Sequence, residues 1–175
     1  MVGSVAAMNL LQRFRSTPRR LAVASAATAA AAVAGSLATD VDSRWYRRRD
    51  LPAWQPPGVA FPIVWTALYA DIAATSAATT TSLDDQGRFE EARSYWAALG
   101  VNLALNAGWC ALFFRARRPS LATAGALALA VSSADLARRA AAVDPAHGAA
   151  LAPYAAWCTF ATALSAEIWR RNGDG

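Results

Sequence analysis

Runs of roughly 15 to 25 residues with few or no charges, each closed by a cluster of ionisable side chains, constrain this chain more than any other feature. Each run is long enough for a helix to cross a hydrocarbon layer of about 30 Å. The pattern predicts an all-α integral membrane bundle of five transmembrane helices, with no soluble domain. The expected helices cover 21–39, 59–82, 94–114, 120–142 and 149–171. A basic N-terminal arm over 1–20 precedes the five-helix domain at 21–172, and a Pro- and Trp-rich loop fills 40–58. A hydrophobic share of 55% and a mean hydropathy of +0.21 agree with a lipid environment. The rival reading of 21–38, a cleavable secretory signal, is less favoured than a first membrane helix.

Charge points the same way. All seventeen basic residues are arginine, and the formal net charge is +5. They gather at segment ends, at 13–20, 44–49, 115–118 and 170–171 among others, where guanidinium groups reach lipid headgroups. That placement accounts for the basic balance without nucleic acid. With five crossings the two faces carry eight and nine arginines, so the positive-inside rule sets no orientation. Cys110 and Cys158 lie inside apolar runs, where cysteine acts as a small hydrophobe. Together with His147 they supply too few ligands for a metal site.

Several polar and aromatic residues stand out inside the apolar runs. Trp65 and Trp157 lie one to two turns inside their expected helices, where an indole N–H does better facing a bundle cavity than lipid tails. Ala161 follows Trp157 by one turn and leaves room beside it, so this face suits a large, flat, mostly apolar ligand. Asn102, Asn106, Trp109 and Phe113 share one helix face. The two amides serve either interhelical hydrogen bonding or direct ligand contact. Asp71 sits at membrane depth with no cation near it in sequence, whereas Asp135 has Arg138 and Arg139 one turn away. Glu167 is spaced to pair with Arg170 and Arg171.

The chain resembles the tryptophan-rich sensory protein family, also called the translocator protein or peripheral-type benzodiazepine receptor family. The resemblance covers roughly 21–172. It rests on Trp45-Tyr46, Pro52-x-Trp54-x-Pro56-Pro57, Phe61 to Tyr69 centred on Val64-Trp65-Thr66, Asn102-Leu103-x-Leu105-Asn106-x-x-Trp109, and Pro153-Tyr154-x-x-Trp157-x-x-Phe160-Ala161. It implies five membrane helices, a pocket between them, and Trp45 to Gly58 as the lid. The ligand set that follows is Trp45, Trp54, Phe61, Trp65, Asn102, Asn106, Trp109, Trp157 and Ala161. The chain departs from the family pattern at Leu51, where a basic residue is usual, at Asn102, where glutamine is usual, and at Ser165, where asparagine is usual. Ala166 replaces the tyrosine at the centre of the animal sterol-recognition stretch, so sterol binding is not carried over.

The resemblance implies a membrane receptor for porphyrin or haem-like planar ligands, used in tetrapyrrole handling or stress sensing. No resident cofactor is required, and the partners expected are the planar ligand, the lipid bilayer and a second copy in a homodimer. A transporter of tetrapyrroles or other small amphipathic molecules is the alternative, and a porphyrin-modifying enzyme a further one. The chain offers no nucleophile and base pair on which catalysis could be built.

Overall fold

A computed structural model describes the backbone of residues 2–174 and the side chains of residues 18–174. The regular elements are helices: α1 (Val2–Ala38), α2 (Arg44–Arg47), α3 (Ala60–Asp85), α4 (Phe89–Cys110), a π-helical turn (Ala111–Arg115), α5 (Pro119–Ala141) and α6 (Pro145–Asn172). Alanine, the strongest helix former, dominates the long elements. The backbone of the expected N-terminal arm continues into α1, while its side chains up to residue 17 lie outside the described residues.

Three of the described helices are long and apolar enough to cross a membrane: Pro18–Ala38, Phe89–Arg115 and Pro119–Ala141. Helices α3 and α6 match them in length, at 26 and 28 residues, but carry more polar groups. On α3 these include Asp71 and the run Thr79 to Ser82.

Helices α1 and α4 begin before their expected starts, at Val2 rather than 21 and at Phe89 rather than 94, and two further departures have local causes. Helix α6 starts at Pro145 rather than 149, because Asp144 caps it by accepting a hydrogen bond from the Ala146 N–H at 2.8 Å. Proline at the first helical position needs no N–H partner, so Asp144-Pro145 is a start signal rather than a loop. His147 therefore lies in the first turn of α6, with Nδ1 3.2 Å from Thr79 Oγ1 on α3. Within the loop 40–58, Ser43 accepts from the Tyr46 N–H and nucleates the single turn α2.

Helix α1 packs on α3, α3 on α6, α6 on α5, α5 on α4, and α4 back on α1, which closes a ring. The α5–α6 seam is the most extensive. It depends on Gly148, where a Cβ would meet the Ala141 Cβ at 2.4 Å and its Cα at 2.9 Å. One buried cluster fills the lower and middle bundle around Ile72, Leu99, Leu136, Leu151 and Tyr154. A second gathers Phe113, Phe114, Leu164 and Ile168 under the loop.

Salt bridges and polar ties link elements distant in sequence. Arg20 pairs with Asp84 between α1 and α3. Arg115 Nη2 donates to the Leu37 carbonyl at 2.6 Å, capping the end of α1. Asp174 accepts from the Ser120 N–H at 2.8 Å and hydroxyl at 2.7 Å, which joins the end of α6 to the start of α5. Those two donors favour the ionised form and hold the Asp174 carboxyl below the usual carboxylate range.

A lidded aromatic cavity

A cavity of about 500 Å³ opens between α1, α3, α4 and α6 beneath the loop 40–58. Helix α3 supplies Phe61, Trp65 and Tyr69, one turn apart along one face. Helix α4 and the π-turn supply Asn106, Trp109, Phe113 and Phe114. Gly35, Ser36 and Thr39 of α1 and Leu164, Ser165 and Ile168 of α6 complete the wall, with Tyr46 and Gln55 above. The π-turn matters here. Its wider winding breaks the α-helical register just after Trp109, and Trp109 stacks on Phe113 at 5.8 Å while Phe113 meets Phe114 edge-on at 4.9 Å.

Polar atoms at the wall are held in place and in part unused. Tyr69 Oη donates to Asn106 Oδ1 at 2.6 Å, which fixes the amide's orientation. Asn106 Nδ2 and Trp109 Nε1 are then buried donors without a protein partner. Gln55 gives Nε2 to the Tyr46 hydroxyl at 3.3 Å, leaving its buried Oε1 as an unpartnered acceptor. Buried polar groups are normally satisfied, so three such atoms on residues of one cavity wall leave hydrogen-bonding capacity unspent there.

Of the residues expected at the site, Phe61, Trp65, Asn106 and Trp109 line the cavity. Trp45 packs behind it, edge-on to Phe113 at 5.7 Å, with the Arg49 guanidinium 4.7 Å over its ring. Trp54 is 49% exposed and meets Phe160 at 5.8 Å. Trp157 lies in the α3–α6 seam between Phe61 at 5.9 Å and Phe160 at 5.1 Å, with its N–H buried and unpartnered. Ala161 is half-buried one turn further along α6. Asn102 is fully buried and engaged with Tyr154, Ser132 and Ser133, which is the interhelical role. Tyr69 joins the wall unanticipated, although its spacing of four from Trp65 carried the signal. The α1 wall of Gly, Ser and Thr carried none.

The loop above the cavity is tied to the end of α6. The Asp50 N–H donates to Asn172 Oδ1 at 2.8 Å, and Asn172 Nδ2 returns a bond to the Asp50 carbonyl at 3.0 Å. Arg171 adds a longer contact to the Asp50 carboxylate at 3.4 Å. Replacing Asn172 with alanine removes both reciprocal bonds, each worth about 1 kcal/mol net. Deuterium uptake across residues 48–58 is expected to rise about tenfold in N172A. Unchanged uptake would show that the aromatic contacts alone hold the loop.

Fold and cavity together define an α-helical membrane protein built around a lidded aromatic chamber. The chain belongs to the TspO/MBR family, which matches residues 22–170. It is 31% identical to the tryptophan-rich sensory protein of Cereibacter sphaeroides over 84% of this chain and 87% of that one. It is 32% identical to the human translocator protein, over 74% and 75% of the two chains. An uncharacterised membrane protein of Bacillus subtilis, YtaB, is 32% identical over 75% and 83%.

Proposed function

We propose that this protein is a membrane receptor for porphyrin or haem-like planar ligands, serving tetrapyrrole handling or stress sensing, and that all five long helices cross the bilayer. The closed ring of five helices supports the crossing count, because the adjacent pair α3 and α6 fills the gap between α1 and α5, which are apolar enough to span. Several of their polar groups meet partners inside the ring, Thr79 with His147, Ser76 with Tyr95 and Tyr154 with Asn102.

The observation that carries the ligand reading is the pairing of aromatic walls with unused donors. Ring faces at Trp65, Tyr69, Trp109 and Phe113 suit a conjugated macrocycle through dispersion and area burial. Asn106 Nδ2 and Trp109 Nε1 suit acceptor oxygens such as a porphyrin's carboxylates. A volume of about 500 Å³ is within the ordinary range for small-molecule sites. The transport alternative gains nothing from Asp71, whose Oδ1 accepts from Thr75 at 3.0 Å one turn along the same helix.

Titration of purified protein with protoporphyrin, followed by the porphyrin's absorbance, tests the reading. W109A is expected to weaken binding about thirtyfold, equivalent to about 2 kcal/mol. W157A is expected to fall between W109A and wild type, because it removes the support behind Phe61 rather than the wall. W54A is expected to stay within about threefold of wild type. Equal affinity in all three variants would place the ligand elsewhere.

A further inference from the structure

The two ends of the bundle treat their arginines differently. At the end away from the cavity loop most described cations are neutralised by carboxylates, Arg88 by Glu91 at 2.6 Å, Arg93 by Glu90 at 3.1 Å, and Arg138 and Arg139 both by Asp135 at 2.6 Å, while Arg19 stands exposed without an ion pair among the described residues. Arg20 pairs there with Asp84. At the loop end the acids are taken instead: Glu167 by Arg170 and Arg171, Asp50 by Arg171, and Asp174 by Ser120. Arg44, Arg47, Arg48 and Arg117 remain exposed there, without an ion pair among the described residues, as does Arg118, whose charge acts on the Asp174 carboxylate. Asp40 and Asp42 are the nearby acids and also stand exposed.

Packing places these four arginines at the same end of the bundle. Trp45 and Tyr46, inside α2, dock on Phe113 and Phe114 at 5.7 and 5.5 Å, so the flanking Arg44, Arg47 and Arg48 point away from the bundle. Arg117 follows Phe114 by three residues and adopts a left-handed backbone, φ 52°, in the turn before α5. Helix α2 sits beside the ends of the apolar spans Pro18–Ala38 and Phe89–Arg115, which is the level of a bilayer's headgroups. Guanidinium groups at that depth meet lipid phosphates, which they bind as planar forks.

We propose that Arg44, Arg47, Arg48 and Arg117 form a binding surface for the headgroup phosphate of an anionic lipid in the leaflet next to the cavity loop. The surface stands outside the cavity, and the proposal does not depend on the nature of the cavity ligand. Its charge excess over Asp40 and Asp42 selects an anionic headgroup over a zwitterionic one.

The full chain, purified in detergent and incubated with equal amounts of phosphatidylglycerol and phosphatidylcholine of matched acyl chains, is examined by native mass spectrometry. Wild type is expected to retain phosphatidylglycerol roughly tenfold over phosphatidylcholine. R44Q/R47Q/R48Q/R117Q is expected to lose the preference, and R138Q/R139Q at the opposite end to keep it. Equal retention of both lipids by wild type overturns the proposal. So does an unchanged preference in the fourfold variant, or equal losses in both variants, which would mark diffuse charge rather than a site. Should the fourfold variant fail to fold, wild type in rising salt reads the same contact. Exposed guanidinium–phosphate pairs weaken as the Debye length shrinks to about 3 Å at 1 M, so a preference that survives that screening also overturns the proposal.

Discussion

Replacing Asn102 with leucine is expected to destabilise the purified protein by about 3 to 4 kcal/mol, more than any single change in the cavity wall. Asn102 is fully buried, and its one amide joins three helices. Its Oδ1 accepts from the Tyr154 hydroxyl of α6 at 2.7 Å, and its Nδ2 donates to Ser132 and Ser133 of α5 at 3.2 and 3.1 Å. Hydrogen bonds between membrane helices average about 0.6 kcal/mol, so the three bonds account for roughly 2. The remainder comes from the Tyr154 hydroxyl, fully buried and left without its acceptor, at about 1 to 2 kcal/mol. Leucine fills nearly the same volume, so cavity formation contributes little. Tyr154→Phe, which leaves the amide bonded to both serines, is expected to cost only about 1 kcal/mol. The double variant N102L/Y154F is then expected to be no less stable than N102L alone, because the orphaned hydroxyl is gone. Chemical denaturation in detergent measures all three, and strictly additive losses would show that Asn102 and Tyr154 act independently.

The long helices were legible because charge clusters bound apolar runs, and the fold keeps those runs. The cavity was legible where a side chain has a distinctive chemistry at helical spacing, as in Phe61, Trp65, Asn106 and Trp109. It was not legible on α1, where the wall is made by Gly35 and its neighbours and the contribution is space rather than contact. Trp157 shows a different limit. Periodicity places it on one face with Ala161, but which neighbour that face meets depends on the rotation of α6, and the structure turns the indole into the seam with Phe61 and Phe160. The π-turn at Ala111–Arg115 and the helix α2 depend on local geometry that no hydrophobic period reveals. The start of α6 was readable in principle, since Asp144-Pro145 pairs a capping side chain with a residue suited to the first helical position.

Gly148→Ala is expected to reverse the sign of the usual glycine-to-alanine effect in a helix. In an exposed helix interior the exchange stabilises by about 1 kcal/mol, through a lower backbone entropy in the unfolded chain. Gly148 is buried in the first turns of α6 and faces α5 at close range. An added Cβ would stand 2.4 Å from the Ala141 Cβ, 2.9 Å from its Cα and 3.1 Å from the Ala137 carbonyl oxygen. Two of those three atoms are backbone, so no side-chain rotation relieves the overlap and the helices must separate along their most extensive seam. Overpacking of that kind costs about 1 to 3 kcal/mol, which exceeds the propensity gain. The net loss is expected at about 1 to 2 kcal/mol, read as a lower denaturation midpoint in detergent. A second change identifies the cause. Ala141→Gly removes the atom at 2.4 Å but leaves the two backbone contacts, so G148A/A141G is expected to recover only part of the loss. Full recovery would make the Cβ–Cβ overlap the whole effect. A stabilised G148A would mean that α5 and α6 do not approach as closely as the seam requires.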